Sequence, residues 1–132
     1  VKKILKKMER GFSRVKVGLG FSRLKHNRLI RRRMIKWLNN FDKQSELFKK
    51  LPLRELKSQA FFWRVGAHYV SGKEGVLAER TAVRELVESL DAAKGFEGEK
   101  KEEQERALLL NSFIPRTRNI VKKAHSASIS KN

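Results

Sequence analysis

From Pro52 to Val70 the segment PLRELKSQAFFWRVGAHYV places apolar residues on two sides of one helix. Leu53, Leu56, Ala60, Trp63, Ala67 and Val70 recur at spacings of three and four, and Phe61, Val65 and Tyr69 draw a second stripe. A helix with one apolar stripe lies on a surface, whereas one with two must be enclosed by other helices. Pro52 suits the first turn, where its missing N–H would have had no partner anyway. This stretch predicts a helical bundle built around it.

The rest of the chain supplies the neighbours. In residues 22–41, SRLKHNRLIRRRMIKWLNNF, the residues Ile30, Met34, Trp37 and Phe41 form one stripe flanked by Leu24 and Leu38. Asn39 and Asn40 suit its end. Residues 42–51 read as a polar connector with one short helical turn using Leu47, Phe48 and Leu51. Ser71 and Glu74 match a capping box, and the helix after them, to about Ala93, should turn Val76, Leu77, Val83, Leu86, Val87 and Leu90 inward and Glu79, Glu85, Glu88 and Asp91 outward. The charged run 97–105 leads a helix into Leu108, Leu109, Leu110, Phe113 and Ile114, which Pro115 should interrupt.

At the N-terminus, Val1, Ile4, Leu5 and Met8 fall at helical spacing, and Gly11 is a plausible stop. Between Gly11 and Arg23 the tetrapeptide Gly-Phe-Ser-Arg occurs twice around an alternating segment, which predicts a basic loop. Phe12 and Phe21 there are read as core anchors, with base stacking as the alternative. The whole is expected to be all-α: a small bundle of about four to six helices within a single domain over 1–114. An extended basic tail over 115–132 should order on a partner.

Charge carries the functional expectation. The chain holds 32 Lys and Arg against 14 Asp and Glu, a net charge of +18. Residues 1–72 hold 20 basic and 4 acidic side chains, residues 73–105 hold 6 and 10, and residues 106–132 hold 6 and none. The order basic, acidic, basic points to a surface for a polyanion, since a general solubility coat mixes its signs. The residues expected to contact nucleic acid are Arg14, Lys16, Arg23, Lys25, Arg28, Arg31, Arg32, Arg33 and Lys36, centred on the acid-free helix 22–41. Arg31 lies at the border of the apolar stripe, where its stem can rest on apolar surface while its head reaches out. Lys2, Lys3, Lys6, Lys7, Arg116, Arg118, Lys122 and Lys123 are expected as secondary contacts, and Arg54, Lys57 and Arg64 as extensions. Arginine outnumbers lysine on the central rail, and its fork fits phosphate, which favours nucleic acid over lipid.

Catalytic and metal-binding patterns are not found. Without cysteine the chain makes no disulfide, thiolate nucleophile or cysteine-ligated zinc. His26, His68 and His125 sit far apart in sequence, and no zinc-protease, nucleophile-elbow or phosphate-loop motif occurs. His68 reads as a packed or hydrogen-bonded core histidine. No catalytic residue, metal site, cofactor or small-molecule substrate is assigned. The expectation is a structural RNA-binding protein of a large ribonucleoprotein, most plausibly ribosomal, which meets RNA and neighbouring proteins. Val1 in place of Met suits processing, which would imply an organelle, or a start within a longer protein, which would imply a viral polyprotein; of the two, an intracellular, organellar (mitochondrial) ribosome is slightly favoured. The alternatives are a viral nucleocapsid or matrix-like protein, which could also lie on anionic membrane, and a DNA-binding or nucleoid protein.

Overall fold

The computed structural model describes residues 28–130, with the side chains of 29–127. The basic loop of 11–23, the first amphipathic segment, and Lys2, Lys3, Lys6, Lys7, Arg14, Lys16, Arg23 and Lys25 lie outside the described residues. Those described form five α-helices and no strand: α1 (Arg28–Lys43), α2 (Leu53–Val70), α3 (Gly75–Leu90), α4 (Gly98–Leu108) and α5 (Ile114–Ser130). A short 3₁₀ turn, Ser45–Lys50, joins α1 to α2. The fold is the small all-α bundle that the apolar spacing requires.

Helix α2 is its axis, and packs against each of the other four helices. From Trp63 to Val70 every one of its residues is buried. Helix α1 runs antiparallel to it, with Phe41 beside Trp63 and Arg31 at Val70. Helix α3 returns antiparallel on another side, with Glu85 opposite Arg64 and His68. Helices α4 and α5 form one rod parallel to α2, since Lys57 meets Glu105 while Arg64 meets Phe113 and Thr117.

The lower core is aromatic. Phe41 lies 4.8 Å from Phe48 and 4.9 Å from Trp63 between ring centroids, and Trp37 tilts onto Phe41 at 5.3 Å. Such ring pairs contribute about 0.5–1.5 kcal/mol each beyond the area they bury. Trp37 is half-buried at the edge of this cluster, so it serves the core.

Three local expectations are corrected. Helix α1 continues past Asn39 and Asn40 to Lys43. Ser71 does not cap α3; its hydroxyl donates back to the His68 carbonyl at 2.9 Å, and Glu74 occupies the N-cap position without a side-chain cap bond. Pro115 does not interrupt the rod. A five-residue π turn, Leu109–Phe113, precedes it and leads directly into α5. The wider turn accommodates a ring that would otherwise press on the carbonyl four residues back. Of residues 115–132, expected as an extended basic tail, those to Ser130 are described and continue α5, in which Ile114, Thr117, Val121 and Ala124 recur at spacings of three and four and are all buried.

Helix α2 ends in a Schellman motif. The Gly72 N–H donates to Tyr69 and the Lys73 N–H to His68, and Gly72 adopts φ of +122°. A Cβ at Gly72 would touch nothing within 4 Å, so only the backbone conformation resists substitution. Gly72→Ala is therefore expected to lower unfolding free energy by about 1–3 kcal/mol, measured by urea denaturation, with the helical circular dichroism unchanged.

Candidate nucleic-acid interface

The open face of α1 is cationic. Its outward positions include Arg32, Arg33, Lys36 and Lys43, all exposed, while Met34, Ile35, Leu38 and Phe41 are buried behind them. The helix holds a single acidic residue, Asp42, which is turned sideways. It accepts a hydrogen bond from Arg118 Nε at 2.5 Å, and Arg118 Nη2 also donates to Ser45 at 3.4 Å. This pair fastens α5 beside α1. The four outward cations of α1 are in no ion pair with any described residue.

Helix α5 carries exposed cations as well. Arg116, Lys122 and Lys123 are exposed, and α5 packs on α1 directly. Residues that the sequence placed in a primary and a secondary set are thus carried by two adjacent, antiparallel helices. Exposed Glu97, Glu99, Glu102 and Glu103 sit at the other end of the rod, at the start of α4. Exposed Lys100 and Lys101 stand among them.

Not every candidate reaches that surface. Arg31 is half-buried and its Nε donates to the Val70 carbonyl at 2.8 Å. It satisfies one of the orphan carbonyls at the end of α2, because its position on α1 falls within the buried arc. Arg118 is committed to Asp42. Of the expected extensions, Arg54 is exposed, Lys57 pairs with Glu105 at 3.0 Å, and Arg64 is buried at 2% exposure. Arg28 lies in the first turn of α1.

Arg64 instead anchors a buried polar node. Its Nε donates to Thr117 Oγ1 and its Nη2 to the Phe113 carbonyl, both at 2.8 Å. Its Nη1 pairs with Glu85 Oε2 at 3.2 Å, and the guanidinium carbon stands 3.8 Å from the centroid of the Phe113 ring. The second Glu85 oxygen accepts from His68 Nε2. A carboxylate only accepts, so that nitrogen carries the ring proton.

Burial lowers the Arg64 pKa, an effect opposed by Glu85 and reinforced by the charge of Arg116. Burial likewise lowers His68, outweighing its hydrogen bond and charge contact with Glu85. Burial pushes Glu85 up, but His68 and Arg64 together outweigh it and hold the carboxyl below its usual range. Glu85 was expected to face solvent and Arg64 to extend the surface. The available signal was the run from Ala60 to Val70, in which Arg64 and His68 are the only basic side chains and no acidic one occurs.

Compared with protein-family models, with curated proteins and with solved structures, the chain matches none of them.

The two lowered pKa values act in the same direction on stability. With His68 below 6.5 in the folded state, the unfolded chain binds more protons as pH falls under that value, and unfolding becomes easier. Glu85 adds the same trend below 4.5. Stability should therefore be highest above pH 6.5 and fall on acidification in two stages. Thermal melts from pH 7.5 to 5 read the first stage, and His68→Gln should flatten it; an unchanged slope in that variant would exclude His68 as its source.

Proposed function

We propose that this protein is a non-catalytic, structural RNA-binding component of a large ribonucleoprotein such as a ribosome, and that it lays the α1 and α5 face against phosphates. The observation that carries this reading is the row Arg32, Arg33, Lys36 and Lys43 on α1, whose only acidic residue is already paired with Arg118. Cations left uncompensated on a rigid surface are suited to an anion supplied from outside. Helix α1 presents them along about 17 Å, the rise of the eleven residue steps from Arg32 to Lys43.

Arginine and lysine in such a row neutralise phosphates and need not read bases. RNA of defined shape suits a surface of this kind, because double-stranded RNA is recognised largely through its backbone. Lys122 of α5, four residues beyond Arg118 and so on the side of α5 that meets α1, adds a cation beside the row. The segment 1–27, which precedes α1 in the sequence, carries nine further basic residues and one acidic residue.

Binding of a structured RNA should show weak sequence preference and a steep salt dependence. With about six phosphates neutralised, affinity should fall on the order of a thousandfold between 50 and 200 mM salt. Combined Arg32→Glu, Arg33→Glu and Lys36→Glu substitution should remove most of that affinity and leave the helical signal intact, since all three side chains are exposed. A filter-binding titration checks both. Undiminished binding by the triple variant would place the interface elsewhere, and a chain that floats with anionic vesicles but leaves RNA unshifted would overturn the proposal.

A further inference from the structure

The cationic face of α1 is narrow and has a neighbour on its flank. Its exposed side chains are Leu29, Arg32, Arg33, Lys36, Asn40 and Lys43. At about 100° per residue, all six fall within one arc of about 100°. Arg32 and Arg33, being successive, stand at the two edges of that arc, and Lys36 and Asn40 lie between them. The other described side chains of α1 are buried or half-buried, and the helix packs on α2 and on α5. No acid shares the arc. Asp42 lies outside it, paired with Arg118, and Glu46, the next acid along the chain, pairs with Lys49 at 3.1 Å.

This shape discriminates among nucleic acids. Single strands are held by stacking their bases on exposed rings. The rings of α1 serve the core: Phe41 is fully buried, and Trp37 is half-buried against it at 5.3 Å. The major groove of B-DNA, about 12 Å wide and about 8.5 Å deep, takes a helix that projects from its protein. With α5 fastened to its flank, α1 presents too narrow an arc to sink to that depth. The major groove of duplex RNA is closed to side chains, but its minor groove is wide, shallow and lined with 2′-hydroxyls. A shallow groove accepts a low convex face whose two edges carry arginines.

Asn40 supplies that face with a group for the sugar. Among the described side chains of α1 it is the one that is polar, uncharged and exposed. Its amide both donates and accepts, as a 2′-hydroxyl does. Resting on the reading of α1 as an RNA face, we propose that α1 lies across the minor groove of an RNA duplex, with Arg32 and Arg33 on phosphates of the two strands and the Asn40 amide hydrogen-bonded to a ribose 2′-hydroxyl. Asn40 is then the residue that tells RNA from DNA.

The test uses the full chain and three labelled probes of one sequence: an RNA duplex of about 16 base pairs, long enough for two minor grooves, the matching DNA duplex, and the single-stranded RNA. Fluorescence anisotropy should show the RNA duplex bound at least about tenfold tighter than the single strand. Asn40→Ala should weaken the RNA duplex about three- to tenfold, the effect of one hydrogen bond, and leave both the DNA duplex and the salt slope unchanged. Arg32→Ala and Arg33→Ala should each reduce the salt slope by about one. These side chains are exposed, so the circular dichroism of each variant should match that of the parent. A single strand bound as tightly as the duplex, or an equal loss from both duplexes on Asn40→Ala, would overturn the proposal while the RNA reading stands. A DNA duplex bound more tightly than the RNA duplex would overturn both. RNA affinity undiminished by the combined Arg32→Glu, Arg33→Glu and Lys36→Glu substitution would remove the face on which the proposal rests.

Discussion

The arrangement of the helices depends on how one buried guanidinium is satisfied. Arg64 sits in the middle of α2 with almost no access to water, and a charge in that position is costly unless it is paired and hydrogen-bonded. Its three nitrogens find Thr117, the Phe113 carbonyl and Glu85, and its face meets the Phe113 ring. These partners come from α5, from the turn before it and from α3. A buried pair of this kind gives little net stability over an apolar core, but the loss of one partner costs about 3–5 kcal/mol. Its consequence here is register: sliding α3 or the rod along α2 by one turn would strand the charge.

That requirement explains the one helix whose orientation the apolar pattern misjudges. By hydrophobicity Val76, Val83 and Val87 belong inside, and full burial of such a side chain contributes about 1.5–3 kcal/mol. They are about half exposed, so turning them outward forfeits only part of that, on the order of 3 kcal/mol for the three together. Turning them inward would leave Arg64 and His68 without Glu85, a comparable or larger cost. The inward face of α3 is instead made by Gly75, Ala78, Thr81, Ala82 and Glu85, small enough to bring a carboxylate up to α2. Periodicity finds a stripe; it cannot rank a second stripe made of small residues and one charge.

Elsewhere the sequence is more legible, for reasons that can be named. The two stripes on α2 require enclosure, and the structure encloses it. On α1 the apolar arc and the acid-free cationic arc are both wide, so the outward placement of Arg32, Arg33 and Lys36 follows from spacing alone. Arg31 shows the limit: its position lies in the apolar arc, and what draws its head inward is a helix end that only the tertiary fold brings near. Asp42 and Arg118 are 76 residues apart, and nothing local marks them as partners. Pro115 reads as a break, yet the π turn before it lets the rod continue.

These internal commitments decide which cations remain for function. Arg31 closes α2, Arg64 holds the node, Lys57 meets Glu105 and Arg118 meets Asp42. Each fixes a helix and is thereby withdrawn from binding. What is left on α1 and α5 is a set of like charges on adjacent helices. Such charges repel, so the arrangement that places them side by side is opposed by its own surface. A polyanion laid across them removes that repulsion. The ion pair between Asp42 and Arg118 fastens α5 to α1, so the one acidic side chain of α1 is spent on the seam between the two helices and leaves the outward cations of α1 uncompensated.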